Sequence, residues 1–313
     1  MPKPAADGSR PSGDARHRTG LRGLSGSVLV ALATVYIVWG STYFAIRVAL
    51  GSFPPFLQGG IRFLVAGSLL FGFLVLRGTR LPSVREWRDG AIVGVMLLAV
   101  GNGGVVFAEQ YVSSSVAAIF IGAGPLAAAL WSGLFGSWPQ RVQWVGIATG
   151  FAGVAMLAGG AQLATHPLGL FALMCAVSSW TLGSVLSQKK LRMAPGAMGF
   201  ATEMLAGGAL LLVVGLLHGE APALAASWPP TPAAAMALVY LILAGSIAAF
   251  SAYMYLLSQV SSTIAISYAY VNPMIAVLLG VFLGGEVLSP REGIATAVIV
   301  GSVILLTREK PRA

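Results

Sequence analysis

The feature that most constrains the fold of this chain is that one hydrophobic segment occurs twice. Both copies begin with Val-Ser-Ser, at Val112 and Val260, and each carries a proline thirteen residues later. They also share the sequence Gly-Ile-Ala-Thr, which starts at Gly146 and at Gly293. The offset between the copies is 147 or 148 residues. Internal repetition of this kind predicts a fold assembled from two similar units.

The composition indicates that both units lie in a membrane. Hydrophobic residues make up 57% of the chain and charged residues only 9%, whereas a soluble domain carries about 25% charged residues. The chain therefore lacks the polar surface that water would require, and we expect the lipid bilayer to be its main partner. Its net charge of +9 is concentrated in short segments beside apolar runs, which indicates orientation in a membrane and argues against nucleic-acid binding.

The apolar runs predict ten membrane-spanning helices, because a helix needs roughly 17–25 apolar residues to cross a bilayer. Open sheet edges cannot lie in lipid, so the fold class is predicted to be all-α. The predicted spans are Val28–Leu50, Phe56–Leu76, Gly90–Ala108, Val116–Phe135, Val142–Ala161, Leu168–Ser187, Ala197–Leu217, Pro232–Leu256, Ile264–Gly284 and Glu292–Thr307.

The basic residues predict the orientation of these spans. Sixteen of the nineteen lysines and arginines fall in the two tails and in alternate loops, only Arg291 falls in a loop on the other side, and Arg47 and Arg62 fall within spans. Since cytoplasmic loops carry the excess of Lys and Arg, we expect a multi-pass inner-membrane protein with both termini in the cytoplasm.

The repeat extends beyond the two best-matched segments, because residues 61–71 align with residues 202–212 at an offset of 141. Each half then contains five spans, an odd number, so the second half must insert upside down relative to the first. Inverted repeats are typical of secondary transporters, which bind their cargo near the middle of the bilayer. The predicted organisation is a disordered basic cytoplasmic tail (1–27), a first repeat (28–161), a second repeat (168–307) and a cytoplasmic tail (308–313).

Three segments carry a family resemblance: VWGSTYFAIRVAL (38–50), FPPFLQGGIRFLVAGSLL (53–70) and SYAYVNPMIAVLLGVFLGGEVLSP (267–290). They resemble the EamA family of the drug/metabolite transporter superfamily and, within it, YedA-type exporters. The resemblance implies ten helices around a central cavity and efflux of small metabolites or drugs. The first half departs from the family pattern at one place. Gly-Gly-Glu (Gly284–Glu286) follows the ninth span, as is usual in the family, but the first half has Gly136-Ser137-Trp138 at the equivalent place and lacks the acid.

Two charges inside predicted spans are the first candidates for the substrate path. An arginine in a span costs about 2.5–3.5 kcal/mol on insertion scales, so Arg62 should face a cavity or a partner. Its repeat equivalent is Glu203, at a mirrored depth. We interpret them as a substrate or proton-coupling pair; the alternative is that each extends to its nearer membrane interface. Arg47 and Glu109 lie near the outer ends of their spans, where a direct ion pair between them could form an outer gate; the alternative is that both are interfacial anchors.

Prolines mark the second set of candidates. Pro125 and Pro273 lie at equivalent positions of the fourth and ninth predicted spans, where each removes a helix hydrogen bond. Helices interrupted at matching positions of two halves point to a transporter site, although packing is the alternative. Polar residues accompany the second proline, so we expect the ninth span to carry most of the polar contacts to cargo through Tyr268, Tyr270 and Asn272.

Aromatic residues complete the candidate substrate path. Trp39, Tyr43, Trp180 and Tyr253 lie away from clear membrane interfaces and could stack on aromatic or cationic cargo, or simply pack in the bundle. The sequence carries no metal-binding or glycine-rich phosphate motif. We therefore expect no metal, no cofactor and no catalytic residue, a small-molecule substrate, and a gradient in place of ATP as the energy source. Assembly into a homo-oligomer is compatible with the sequence. The rival hypothesis is a membrane-embedded enzyme or lipid-modifying protein.

Overall fold

A computed structural model describes residues 25–260, 264 and 267–307, apart from the side chains at positions 142, 257, 270, 306 and 307. Within these residues the regular structure is helical throughout, as the sequence predicts. The expected disorder of the tails concerns residues that lie almost entirely outside the described ranges. The helices named below are the longer elements, and two short helices, Ala161–Thr165 and Glu220–Ala226, connect them.

The helix boundaries follow the apolar runs closely. Among the described residues, α1, α2, α3, α4, α6, α7 and α8 are long and apolar enough to cross a membrane, whereas α5, α9 and α10 do not meet that measure. The predicted ninth span includes residues outside the described ranges. The helices are α1 (Gly26–Ala49), α2 (Pro55–Leu76), α3 (Val84–Ala108), α4 (Ser114–Leu134), α5 (Arg141–Ala158), α6 (Pro167–Lys189), α7 (Ala197–Leu217), α8 (Pro232–Gln259), α9 (Tyr268–Phe282) and α10 (Pro290–Thr307).

Side-chain caps fix several helix starts. The hydroxyl of Ser83 accepts a hydrogen bond from the backbone of Glu86, whose carboxylate accepts one from the backbone N–H of Ser83. This capping box satisfies two otherwise unpaired donors. It starts α3 at Val84, six residues before the predicted start at Gly90, because a polar first turn can be helical without being apolar.

Two helices change their winding in the middle, a feature that apolar periodicity did not predict. Residues Val95–Asn102 of α3 and Leu241–Ala248 of α8 form π-helix. The two stretches start 146 residues apart, close to the offset of the sequence repeat. Wider helical turns of this kind are rare and occur frequently at functional sites.

The centre of the bundle is a close crossing of α2 and α7, the second long helices of the two repeats. A Cβ added to Gly60 would lie 2.8 Å from the backbone of Leu212, and one added to Gly208 would lie 2.8 Å from the backbone of Leu64. Only glycine allows this approach. Because residue numbers rise along α2 as they fall along α7, the two helices run antiparallel.

The remaining helices pack in a pattern that is the same from either half. Helix α5 runs antiparallel to α10, with Gly153 against Ile299, and α4 packs on α9. Helix α1 packs on α8 and α9, and its repeat equivalent α6 packs on α3 and α4. The first helix of each half therefore contacts the third and fourth helices of the other half.

Candidate functional site

Three of the predicted aromatic residues form one cluster. The ring of Trp39 on α1 lies 5.2 Å from that of Tyr253 on α8 and 4.8 Å from that of Tyr268 on α9, between ring centroids. Tyr253 and Tyr268 lie 5.7 Å apart, and Phe250 adds an edge-to-face contact 5.1 Å from Trp39. Because α1 of the first half packs on α8 and α9 of the second half, these three helices meet around an aromatic surface. We call this packing of the first helix of each half on helices of the other half the exchange of partners.

The π-helical stretch of α8 anchors this cluster and the buried arginine. The indole Nε1 of Trp39 donates to the carbonyl oxygen of Gly245 over 3.2 Å, and Nε of Arg62 donates to the hydroxyl of Ser246 over 2.9 Å. Arg62 is 3% exposed, and its guanidinium lies 4.8 Å from the ring centre of Phe63. Its Nη1 is buried without a hydrogen-bond partner. A donor in this state is available to a ligand, because leaving it unpaired is costly.

Trp180 and Glu203, two further predicted site residues, lie at or next to the π-helical stretch of α3. Trp180 on α6 packs against Gly101, where an added Cβ would meet the indole at 3.1 Å. Its neighbour Ser179 donates to the carbonyl oxygen of Met96 over 2.8 Å. Glu203 on α7 is 2% exposed, and its Oε2 has no hydrogen-bond partner. The Glu203 backbone packs so closely on Gly94 of α3 that a side chain at position 94 would not fit. Each half thus brings a tryptophan to the π-helix of the other half, and a buried ionisable residue lies at that π-helix (Arg62) or beside the residue before it (Glu203).

Arg62 and Glu203 lie at different levels of the crossing between α2 and α7. Gly67 of α2 is level with Met204, next to Glu203, so the two charges are separated by roughly six residues, or about 9 Å along the helix axis. The two described side chains form no ion pair with each other. The structure therefore keeps the predicted pair apart, each charge with its own surroundings.

The two predicted proline positions differ in their local structure. Helix α4 is interrupted at Gly122, and its second segment begins at Gly124, immediately before Pro125. Helix α9 continues through Pro273, whose ring fills the space where a side chain on Gly122 would lie. The two sites therefore pack directly against each other. Helix α4 is interrupted just before its proline, whereas the described helix Tyr268–Phe282 is continuous at its proline.

Asn272, the residue before Pro273, links α9 to α1. With its amide oriented to donate, its nitrogen reaches the carbonyl oxygens of Tyr268 and Tyr36 at 3.2 and 3.3 Å. Asn272 is buried, so its polar group is used in helix packing in this conformation. The side chain of Tyr270 lies outside the described residues.

Arg47 and Glu109 contact each other at the end of the bundle, but not as the direct ion pair considered from the sequence. The guanidinium of Arg47 donates to the backbone carbonyl oxygen of Glu109. The Glu109 side chain is 0% exposed, and neither carboxyl oxygen has a hydrogen-bond partner. Its electrostatic neighbours are Arg47, Glu286 and the hydroxyl of Tyr43.

A cavity of about 540 Å³ opens at the same end of the bundle. Arg47 and Gln110 line it, so the arginine that contacts Glu109 also borders this open space. The remaining lining residues lie in the connection between α1 and α2, at the first residue of α2, and in or just after the short helix that follows α7: Leu50, Gly51, Ser52, Phe53, Pro54, Pro55, Ala223 and Ser227. We call this space the outer cavity, after the predicted orientation.

Glu286 has a structural role that sequence analysis missed. Its carboxylate accepts hydrogen bonds from the backbone N–H groups of Ser114 and Ser115, at 2.9 and 3.0 Å, and from both hydroxyls, at 2.6 and 2.5 Å. It therefore caps the first turn of α4. Burial raises the pKa of a carboxyl group, but these hydrogen bonds outweigh burial and lower the pKa of Glu286. The Gly-Gly-Glu pattern could have drawn attention to Glu286, but it gives no indication that Ser114 and Ser115 are its hydrogen-bond partners.

Comparisons with known proteins agree with this architecture. The model of the EamA-like transporter family matches residues 25–159 and again residues 167–308. The inner membrane transporter YedA of Escherichia coli K12, described as uncharacterized, is 46% identical over 90% of both chains. Protein PecM of Dickeya dadantii is 28% identical over 86% of both chains. A crystal structure of a protein 20% identical to this one superposes with a TM-score of 0.61 over 90% of this chain and 97% of the other, which supports the fold alone.

Proposed function

Since the chain belongs to the EamA-like transporter family, we propose that it is a secondary-active transporter that exports small metabolites or drugs by alternating access. Named transporters among its relatives support this function over the alternative of a membrane-embedded enzyme or lipid-modifying protein. The relative YedA supports location in the inner membrane. The cargo is a small organic molecule, and an ion gradient supplies the energy.

The observation that carries the proposal is the exchange of partners between the halves. Helix α1 packs on α8 and α9, while α6 packs on α3 and α4. The equivalent helices α2 and α7 cross antiparallel at glycines of both helices, and α5 and α10 cross antiparallel at glycines of α5. Antiparallel packing of equivalent helices is expected when a second unit is inserted upside down, so it supports ten crossings in two inverted units of five, 28–161 and 168–307.

Alternating access requires two conformations that differ by a rearrangement of one half against the other. The halves offer two similar sites for this: Trp39 and Arg62 at the π-helix of α8, and Trp180 and Glu203 at that of α3. Side chains at either place can exchange helix contacts for contacts to cargo. We propose that the aromatic cluster of Trp39, Tyr253 and Tyr268 binds the cargo's apolar portion, with Tyr270 and Asn272 nearby on α9.

The orientation also belongs to the proposal. Contacts such as Ser52 with Thr231, Arg47 with Glu109, and Gln162 with Glu292 gather alternate connections at one end of the bundle. The basic tails lie in the segments predicted for the opposite, cytoplasmic side. A C-terminal reporter that is active only outside the cytoplasm should therefore remain silent, and reporter activity would contradict an even number of crossings.

The experiment that tests transport is a flux assay on proteoliposomes. A panel of metabolites and drugs is screened with imposed proton or sodium gradients, and flux is divided by the amount of inserted protein. We expect Arg62→Gln to reduce the flux at least tenfold, roughly 1.4 kcal/mol, because its unpaired donor lies beside the aromatic cluster. Glu203→Gln should weaken transport or alter its pH dependence.

Arg77→Gln is the matched control, because Arg77 is exposed at the end of the same helix. It should leave the flux unchanged. Wild-type flux in both Arg62→Gln and Glu203→Gln would show that these charges serve only the packing of α2 and α7. Absence of gradient-driven flux across the whole panel would contradict the proposed function itself.

A further inference from the structure

Glu109 is the most anomalous ionisable group among the described residues. It follows the last residue of α3, its side chain has no exposed surface, and both carboxyl oxygens lack a hydrogen-bond partner. A buried ionised carboxylate normally has a paired cation and several hydrogen bonds, since desolvation otherwise costs several kcal/mol. A neutral carboxyl group avoids most of this cost. The surroundings therefore favour the protonated form.

The charged neighbours of Glu109 point the same way. From α1 come the Tyr43 hydroxyl and the Arg47 guanidinium, and from the connection between α9 and α10 comes the carboxylate of Glu286. Burial first, and then the charge of Glu286, raise the pKa of Glu109 well above its ordinary value, while Arg47 offsets some of this rise. Helices α2 and α6 also pack on this end of α3. The ring of His166, just before α6, lies 6.0 Å from that of Tyr111, and the ring of His218 lies 5.6 Å from that of Phe56 on α2.

The position of Glu109 connects the outer cavity to the aromatic cluster. On one side, Arg47 borders the cavity and donates to the Glu109 backbone. On the other side, Tyr43 lies one helical turn deeper on α1 than Arg47 and interacts electrostatically with both Glu109 and Tyr268. A change of charge at Glu109 thus acts on the helix that holds Trp39.

The contacts favour a proton over a metal cation. Hard cations are held by several oxygen ligands at once, whereas neither Glu109 carboxyl oxygen has a hydrogen-bond partner among the described residues. The nearby carboxylate of Glu286 is already occupied by Ser114 and Ser115. A proton needs only the carboxyl oxygen to which it binds.

We propose that Glu109 is the proton-binding site that couples this transporter to a proton gradient, taking its proton from water in the outer cavity. This inference rests on the proposed function. Protonated Glu109 fits the closed, unpaired pocket seen here. When the proton leaves, the carboxylate requires a cation, and Arg47 is the nearest one; its guanidinium then moves from the backbone carbonyl to the carboxylate and draws α1 with it.

The first test measures the proton directly and requires no cargo. Infrared difference spectra of the purified full-length protein are recorded over a pH series. The wild type should retain the carbonyl-stretch band of a protonated carboxyl group at about pH 7, well above the ordinary glutamate pKa of about 4.3, and lose it at higher pH. Glu203 also has a buried carboxyl oxygen without a hydrogen-bond partner, so the variants are compared in a Glu203→Gln background. There Glu109→Gln should abolish this band, and Glu286→Gln should preserve it.

Three results would overturn the assignment. These are no such band in the wild type, an unchanged band in Glu109→Gln, or loss of the band on addition of sodium chloride at constant pH. The last result would identify a sodium site, provided that potassium chloride leaves the band in place.

The second test asks whether this proton controls the conformation. Spin labels on cysteines at Gly51 and Ser227, which are exposed on two segments lining the outer cavity, are placed in a Cys175→Ala background. The distance between the labels should shift with pH in the otherwise wild-type protein and remain fixed in Glu109→Gln. A distance that does not respond to pH, or responds equally in Glu109→Gln, would overturn the coupling. If both tests succeed while the flux screen finds no transport, the proposed function fails and the proton switch stands.

Discussion

Glu109 and Glu286 are two carboxyl groups at the same end of the bundle, close enough to interact, with opposite surroundings. Glu286 is partly exposed and accepts four hydrogen bonds from Ser114 and Ser115. Glu109 is fully buried and has no hydrogen-bond partner for either oxygen. One carboxylate is therefore stabilised in its charged form, while the other is stable only when neutral.

The difference shows that hydrogen bonding and burial together decide whether such a carboxyl group is charged. A carboxylate that accepts backbone and hydroxyl donors becomes integral to the fold, and its removal leaves those donors unpaired. A carboxyl group without donors adds nothing to the fold when ionised, so its presence points to a role in which its charge changes. Three predictions test this comparison.

The largest expected effect is on stability. Hydrogen bonds to charged groups contribute about 1.5–3 kcal/mol each, but they are not additive and Glu286 is partly exposed. We therefore expect Glu286→Ala to lower the unfolding free energy by about 3 kcal/mol, because the first turn of α4 loses its cap. Glu109→Gln should leave stability unchanged or raise it. Denaturant unfolding in detergent measures both, and equal losses in the two variants would break the comparison.

The second prediction concerns the pH dependence of stability. The pKa of Glu286 is lowered in the folded protein, so its contribution is present above the unfolded value of about 4.3 and is lost as pH falls through the folded pKa. The pKa of Glu109 is raised, so its contribution is present below about 4.3 and is lost as pH rises through the higher folded pKa.

Unfolding measured over a pH series should therefore give difference curves of opposite slope. Relative to wild type, the unfolding free energy of Glu109→Gln should increase as pH rises. That of Glu286→Gln should be lower than wild type at neutral pH, and this loss should shrink as pH falls. Parallel difference curves would mean that the two acids titrate alike.

The smallest expected effect comes from Arg47. Its positive charge partly offsets the raised pKa of Glu109, and because Arg47 is exposed its influence is screened by solvent. Arg47→Gln should therefore move the infrared titration of Glu109 to higher pH by a modest amount. Gln110→Ala, at the neighbouring uncharged position on the same cavity, should not. A shift to lower pH after Arg47→Gln would contradict the assigned electrostatic role of this arginine.

Much of the fold could be predicted because the bilayer imposes simple rules on sequence. Continuous apolar runs predicted the helices, and the starts of α2 and α7 agree with prediction to within one residue. The family resemblance was confirmed by the match to both halves. The aromatic candidates Trp39, Tyr253 and Tyr268 do meet, whereas their roles in binding cargo stay predictions.

Other features left no pattern that could be interpreted alone. The π-helical stretches of α3 and α8 are as apolar as their flanks, so periodicity did not reveal the change in winding. The hydrogen bonds of Glu286 join residues 171 or 172 positions apart. The sequence could not distinguish a hydrogen bond from Arg47 to the backbone carbonyl of Glu109 from an ion pair with its carboxylate, because both interactions bring the same two residues together.

The sequence by itself determined that this protein is a helical membrane protein of two related halves, because hydropathy and repetition are properties of the chain and not of its contacts. The tertiary structure alone decided which buried charges are satisfied. Glu109 and Glu286 are the same residue type, each at the end of an apolar segment. Only the approach of the α9–α10 connection to the first turn of α4 supplies donors to one and leaves the other without any. A carboxyl group's charge state depends on the donors within hydrogen-bond distance, and those are set by segments far apart along the chain.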